Sequence, residues 1–409
     1  MNNTKQDFPI FNQNASNKPL VYLDSAATSQ KPESVIKAIA DYYRDNNANI
    51  GRGVYQLAEK STTIFDQSHQ KIAQFFGALN EEFIATPNTT AAINGVAYGW
   101  ADYQLKPGET IVSTLMEHHS NLVVWQEACQ RNQTNLVFLE LNETGELNLD
   151  QLVGFLKQDS VKLLTLTHVS NVLGSIAVLE KISQLVKKHS PETRILVDAA
   201  QSAPHLPIDF SQLNVDFMAF SGHKMLGPMG SGGLLVKKAL LDSGEMQPWL
   251  FGGGMIDQVT VQKTEFNQDL VHRFTAGTPD VAGLVGLAQA CAYLDQIGME
   301  QVKIHDQELV AYGLELLSQR DELKIVGPAD PEKRSGSISF IHRQFDAHDV
   351  ARVLDSQGVA VRSGFHCCHP LHHYFNWQAT IRASFNVYTT KQDLDALDQA
   401  LDEVSRVLQ

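Results

Sequence analysis

Two short segments carry the plainest chemistry in the chain, Val197-Asp198-Ala199-Ala200-Gln201 and Ser221-Gly222-His223-Lys224. Each closes an apolar run, Arg194–Val197 and Asp216–Phe220, so a carboxylate and a lysine are expected on the same strand-end rim of an α/β sheet, where ligands bind. Pyridoxal phosphate needs such a pair. Its aldehyde takes an amine able to form a Schiff base, and its pyridine nitrogen takes a carboxylate that keeps it protonated, so that the ring acts as an electron sink. Singly, the lysine reads as a surface residue and the aspartate as a solvated strand end. Their order, spacing and placement together favour the cofactor.

Further groups are aimed the same way. Asn88-Thr89-Thr90 stands where a strand gives way to a helix over Ala91–Trp100, and hydroxyls with free N–H groups at a helix start make a phosphate site; a plain Thr N-cap accounts for one threonine and leaves the second idle. Glu117-His118-His119 follows the strand Thr110–Ser113, and an imidazole there can stack on a cofactor ring and move protons. A metal site at His118 and His119 is disfavoured, because neighbours on a strand face opposite sides. Asn171 follows another strand and reads either as a donor to a phenolic oxygen or as a turn residue.

The elements that must position these groups can be read from periodicity. Helical patterns cover Glu33–Arg44 and Thr62–Phe76, and strand-like runs follow at Glu82–Ala85, Thr110–Ser113, Asn135–Leu139, Lys162–Thr167, Arg194–Val197, Asp216–Phe220 and Gly232–Val236. Apolar strands alternating with helices over residues 80–240 predict a mainly parallel, doubly wound α/β sheet. A long apolar helix, Asp280–Ile297, then carries the chain away. Gly336–Ile341, Ala347–Ser356, Val359–Arg362 and Lys391–Leu408 follow as strand, helix, strand and helix. This predicts a large domain over residues 29–290 and a smaller α+β domain over 291–409, the latter joined by the N-terminal segment 1–28.

Global properties narrow the function classes. At 409 residues, 43% hydrophobic and 19% charged, the chain suits a soluble enzyme, and its net charge of -14 disfavours a nucleic-acid partner. The polar, Asn-rich start and the absence of any stretch of about 18 apolar residues predict a cytoplasmic protein without a membrane span. Cys129, Cys291, Cys367 and Cys368 have neither zinc-ligand spacing nor disulfide-scaffold density, so a special cysteine here is a reactive one.

Seven segments together resemble the group II cysteine desulfurases and selenocysteine lyases, class V enzymes of pyridoxal phosphate fold type I. They are Leu23-Asp24-Ser25-Ala26-Ala27, Glu117-His118-His119-Ser120-Asn121, His168-Val169-Ser170-Asn171-Val172-Leu173-Gly174, Asp198-Ala199-Ala200-Gln201, Ser221-Gly222-His223-Lys224, Ala276-Gly277-Thr278-Pro279 and Arg362-Ser363-Gly364-Phe365-His366-Cys367. The Ser-Gly-His-Lys stretch is shared widely in that superfamily; the Arg-x-Gly-x-His-Cys stretch is specific to the reaction. The resemblance makes Lys224 the Schiff-base lysine, Asp198 the partner of the pyridine nitrogen and His118 the ring-stacking acid/base. It gives Gln201 and Asn171 the phenolic oxygen, and Thr89, Thr90, Ser221 and His223 the phosphate. Thr278 matches a residue that reaches the phosphate of the other subunit, which implies a homodimer. Arg382 matches the receptor of the substrate carboxylate, a task suited to a guanidinium. Arg362 matches an arginine beside the reactive cysteine, Cys367.

The implied reaction converts L-cysteine, or L-selenocysteine, to alanine, with sulfur leaving as a persulfide on Cys367 for a sulfur-acceptor protein serving iron–sulfur or other cofactor assembly. Arg362 and His366 are expected to favour the thiolate. Three departures stand out. Pro87-Asn88-Thr89-Thr90-Ala91 occupies the place of the usual Arg-Gly-Thr-Thr-Glu, which puts the phosphate-loop backbone in question. Phe365 replaces a common His or Gln, and Cys368-His369 replaces a small residue and its neighbour. Strand alternation predicts that only one of the two neighbouring cysteines faces the site, and the register of the resembling motif Arg362-x-Gly364-x-His366-Cys367 selects Cys367 rather than Cys368. The alternatives are another class V activity, such as an aminotransferase or epimerase, and a catalytically idle cofactor-binding scaffold.

Overall fold

The apolar runs between residues 83 and 236 lie side by side in one seven-stranded sheet. The strands are β1 (Phe83–Thr86), β2 (Thr110–Thr114), β3 (Asn135–Leu139), β4 (Val161–Thr167), β5 (Arg194–Asp198), β6 (Phe217–Ser221) and β7 (Gly232–Val236), in the order β1-β7-β6-β5-β4-β2-β3. Only β7 runs against its neighbours. The other pairings are parallel. This is a computed structural model, and it describes residues 4–408 apart from Asn17, Arg52 and Glu143.

Strand alternation explains why such runs are apolar throughout. Met218 and Phe220 face one core, formed with Val35, Phe65, Ile72 and Leu287 from helices on that side; Phe217 and Ala219 face the other, with Ala92, Ile93, Val96 and Trp125. Truncating Phe217, which is fully buried, to alanine is expected to cost about 3–5 kcal/mol. The chain reverses its direction across the sheet between β2 and β4, the switch point at which the carboxyl ends of parallel strands open a crevice.

A second, antiparallel sheet follows. It contains β8 (Leu323–Val326), β9 (Ser337–His342), β10 (Arg362–Gly364) and β11 (Thr380–Ser384) in the order β8-β9-β11-β10, and the helices Ala347–Ser356 and Lys391–Leu408 cover it. The helix Met299–Ser318 and strand β8 were not apparent in the sequence pattern. The expected strand Val359–Arg362 divides. Val359–Ala360 pairs in parallel with Val21–Tyr22, whereas Arg362–Gly364 pairs with β11. The N-terminal segment is thereby tied to the small sheet, and Leu23 lies in its core. Residues 290 and 291 share the helix Val281–Ile297, whose Cys291 and Leu294 stay with the large core, as does Val302 of the next helix, so the expected boundary falls inside an element of the large core.

Candidate active site

The strand ends and the small sheet enclose a cavity of about 710 Å³ lined by Thr89, Thr90, His118, Asn171, Asp198, Gln201, Ser221, His223, Lys224, Arg362, Cys367 and Arg382. Every predicted site residue except Thr278 is therefore brought to one place. Thr278 lines a separate cavity with Asn49, Gly51, Tyr55, Gly253 and His272.

Lys224 follows β6 through a single 3-10 turn, Gly222–Lys224. Gly222 is required there, because a Cβ would come within 2.4 Å of Ser231 Oγ. Burial pulls the Lys224 ammonium down from 10.5 to about 8, with Asp198 opposing and Arg382 adding to the fall. Asp198, at the end of β5, accepts the Ala200 N–H at 2.9 Å on one oxygen. Burial raises its pKa, offset by that N–H and by Lys224. Among the described residues its other oxygen has no hydrogen-bond partner, so a buried carboxylate is presented to the cavity in want of a cationic N–H.

At the other end Asn88, rather than a threonine, is the N-cap of helix Thr89–Val96; its side chain accepts the Ala91 N–H. Its φ of -175° is extended backbone, so replacing glycine here carries no strain. Both threonines are left for other partners. Thr89 Oγ1 lies 2.7 Å from Ser221 Oγ, and Thr90 Oγ1 lies 2.7 Å from Ser120 Oγ. Hydroxyls beside a helix N-terminus suit a phosphate dianion. Together with the free Asp198 oxygen and the Lys224 amine, this arrangement fits pyridoxal phosphate.

His118 lies on the cavity wall. Its Nδ1 accepts the Ser120 N–H at 3.1 Å, which leaves the proton of the neutral ring on Nε2. Burial, reinforced by Lys224, His119 and Arg382, lowers its pKa to about 3, so the ring is neutral rather than poised near pH 7. His118 and His119 also do not sit on a strand; His118 caps a 3-10 turn, His119–Asn121.

Arg382, at the centre of β11, is buried and donates from Nη1 to the Asn171 carbonyl at 2.8 Å. Its Nη2 is 3.4 Å from Asp24, and its Nε has no partner. Arg362, its register neighbour on β10, grips the same Asp24 with Nε and Nη2 at 3.0 and 2.7 Å. Two guanidinium groups thus share one carboxylate, leaving an excess positive charge that suits a carboxylate ligand. Asp24 is a site residue for which the sequence reading assigned no role.

Cys367 is exposed on the loop after β10. Cys368 is buried, and its Sγ donates to the Glu117 carbonyl at 3.3 Å; burial raises its pKa. The two diverge as expected, but for a different reason. His366 and Cys367 have left-handed φ values of +50° and +55°, so the segment is not an extended strand. His366 is also not a positive neighbour of Cys367. Burial first, then Arg382 and His372, lower its pKa to about 2, and its Nε2 contacts Thr380 Oγ1 at 2.9 Å. Asn171 and Gln201 donate to the His366 and Ala26 carbonyls, at 2.7 and 2.9 Å.

The chain is similar to known proteins along nearly its whole length. The model of the Aminotransferase class-V family, whose members are enzymes of pyridoxal phosphate, matches residues 21–397. A probable cysteine desulfurase of Halalkalibacterium halodurans is 42% identical over 400 residues, covering 98% of this chain and 96% of the relative. The apo structure of a cysteine desulfurase from Thermococcus onnurineus superposes with a TM-score of 0.92 at 34% identity, covering 98% of this chain and 97% of that one. An Escherichia coli cysteine desulfurase in an S-sulfonic acid form gives 0.88 at 33% identity, with 98% of each chain covered. By sequence over nearly its whole length, and by fold, this chain belongs to the class V aminotransferase family, among its cysteine desulfurases.

Proposed function

We propose that the protein is a pyridoxal phosphate-dependent cysteine desulfurase that takes L-cysteine to L-alanine and carries the sulfur as a persulfide on Cys367. The observation that supports this most is the meeting, in one cavity, of an amine of lowered basicity, a buried carboxylate, a buried guanidinium and an exposed thiol. In this reading Asp198 holds the cofactor ring nitrogen. Thr89, Thr90, Ser221 and His223 hold its phosphate, and Gln201 and Asn171 stand at its phenolic oxygen. When bound, pyridoxal phosphate supplies an aldehyde and a ring that stabilises negative charge at the substrate α-carbon.

Arg382 receives the substrate carboxylate by replacing its loose Asp24 contact, while Arg362 stays clamped to Asp24. Lys224, neutral above about pH 8, accepts the α-proton at Nζ. Cys367 Sγ attacks the substrate sulfur as a thiolate, and the electron pair of the broken carbon–sulfur bond stays with the carbon skeleton. Lys224 returns the proton it took as the skeleton becomes alanine, while the neutral His118, its orientation fixed through Ser120, donates a hydrogen bond from Nε2 in the cavity. The exposed Cys367 can then meet a sulfur acceptor.

Thr278 belongs in this reading to the cofactor phosphate of a second subunit. Its separation from the cavity within one chain, and the exposed apolar side chains of Tyr98, Leu250 and Phe251, support a homodimer. Among the described residues no helix is long and apolar enough to cross a membrane, and we place the enzyme in the cytoplasm. The test supplies purified protein with L-cysteine and a reductant and measures alanine and sulfide together. Equal amounts support desulfuration; pyruvate and glutamate formed from alanine and 2-oxoglutarate would point to transamination instead.

A further inference from the structure

The loop that carries Cys367 holds an unfavourable backbone. His366 and Cys367 are consecutive non-glycine residues in the left-handed region, two residues after Gly364 at φ +118°. Left-handed L-residues persist only where surrounding contacts fix them. Those contacts can be traced residue by residue. Asn171 Nδ2 donates to the His366 carbonyl at 2.7 Å, the His119 N–H donates to the Cys367 carbonyl at 2.9 Å, and Cys368 Sγ donates to the Glu117 carbonyl at 3.3 Å.

Side chains close the loop from outside. His119 Nε2 lies 3.0 Å from His369 Nδ1 and 3.4 Å from the His369 N–H. The two rings stack with centroids 4.9 Å apart and planes 17° apart, and Phe365 also stacks on His369, with centroids 4.3 Å apart. The stack therefore bridges residues on both sides of Cys367 to the segment that follows β2. Phe365 and His369 are two of the positions at which the sequence departs from the common motif.

We propose that His119 and His369 form a clasp that holds the Cys367 loop in its strained conformation at the cavity, and that this loop position governs persulfide formation. The second half of the proposal rests on the desulfurase reading above. His119 and His369 are positioning residues; neither lines the cavity. A hydrogen bond between two imidazoles needs one N–H and one lone pair, so it survives a single proton and is lost when both rings are charged. His118, with its ring 6.2 Å from His119, and His373, 6.4 Å from His369, face the pair, as does His372; among the described residues no carboxylate hydrogen-bonds either ring. Burial and His369 keep the pKa of His119 below its ordinary value, which preserves the acceptor near neutral pH. The clasp is lost once acid protonates His119, at a pH below the ordinary imidazole value.

The test uses the holoenzyme with His369→Ala and His369→Asn. Hydrogen exchange of the peptide spanning residues 364–369 reads the loop, and single-turnover persulfide formation on Cys367, quenched and weighed by mass spectrometry, reads the chemistry. His369→Ala is expected to speed exchange about five- to tenfold, the worth of one hydrogen bond and one ring stack. It should slow persulfide formation by a similar factor while KM for L-cysteine stays within about twofold, because Arg382 stands on a separate strand. His369→Asn keeps an N–H donor in place of Nδ1. It should restore the rate near pH 7 and, because the turned amide offers its carbonyl oxygen to a protonated His119, abolish the acid fall of the wild type. Unchanged exchange in His369→Ala, or an Asn variant that behaves like Ala at pH 7, would overturn the clasp, and faster exchange with an unchanged persulfide rate would overturn its link to the chemistry. A wild-type protein that forms no persulfide from L-cysteine would remove the desulfurase reading and the second half of the proposal, while the exchange data would still decide the clasp.

Discussion

Replacing Arg382 by alanine tests the carboxylate receptor directly. The side chain is 3% exposed, so its charge is little screened by water, and its nearest carboxylate, Asp24, is 3.4 Å away and already bound by two nitrogens of Arg362. The substrate carboxylate would therefore meet a guanidinium with capacity to spare, and losing such a charge-assisted contact is expected to cost about 2–4 kcal/mol. At 1.4 kcal/mol per factor of ten, that is about 30- to 1,000-fold in kcat/KM, appearing chiefly in KM if the contact is as strong in the ground state as in the transition state. Arg382→Lys keeps the charge without the fork and should fall between, about tenfold below wild type. The fold should survive. Arg382→Ala strands the Asn171 carbonyl but also removes a buried guanidinium whose Nε is unpartnered and whose pKa burial has pulled down to about 10. Alanine formation over a range of L-cysteine concentrations, with a thermal melt as control, measures the effect. A value of kcat/KM within about threefold of wild type would refute the assignment and place the carboxylate elsewhere.

Other expectations follow from the same geometry. Lys224→Ala should abolish turnover, and borohydride treatment followed by peptide mass spectrometry should find the cofactor on Lys224 in the wild type only; a reduced adduct with full activity in the variant would point to another lysine. Cofactor loading of the apoprotein requires the neutral amine, so its rate should rise with pH and level off above about 8 rather than above 10.5, and a rise that continues to pH 10 would contradict the lowered Lys224 pKa. The same shift makes burial of Lys224 unfavourable in the apoprotein at neutral pH. The unfolded state binds more protons between about 8 and 10.5, so this residue's contribution to stability improves as pH rises through that window, which urea titrations at several pH values can measure. Cys367→Ser should bind cofactor and L-cysteine yet form no persulfide. Cys368→Ser should keep substantial activity and lose about 1 kcal/mol of stability, because its thiol is fully buried; a persulfide found only on Cys368 would reverse these roles.

The strands of the large sheet were legible because parallel strands covered on both faces must be apolar along their whole length, and all seven lie within a residue of their expected ends. The helix Met299–Ser318 was not, and Asp306 shows why. It occupies the buried face between Val302 and Leu309, where it accepts hydrogen bonds from Ser335 Oγ and the Gly336 N–H, so the apolar stripe is broken by a carboxylate that only tertiary structure satisfies. The strand at Val359–Arg362 was misread for a related reason. Its alternation is continuous, but its pairing partners, Val21–Tyr22 and β11, are distant in sequence, and nothing local marks the change of sheet.

The site divides along the same line. Asp198 and Lys224 could be paired from the sequence because each ends a strand with a readable pattern and the two strands are adjacent, with Asp198 in register with Ala219. Asp24 reaches Arg362 across 338 residues of chain and His119 reaches His369 across 250, and neither pairing has a period or spacing that could announce it. The neighbouring cysteines make the point most sharply. Alternation along an extended strand would send Cys367 and Cys368 to opposite sides only if the strand continued past Gly364, and it does not. The divergence is produced instead by two left-handed residues, and such a backbone gives no side chain a default direction; it has to be imposed from two separate segments, Glu117–His119 and Asn171. On the desulfurase reading the cysteine motif specifies which atom reacts, while residues outside the motif determine where that atom is held.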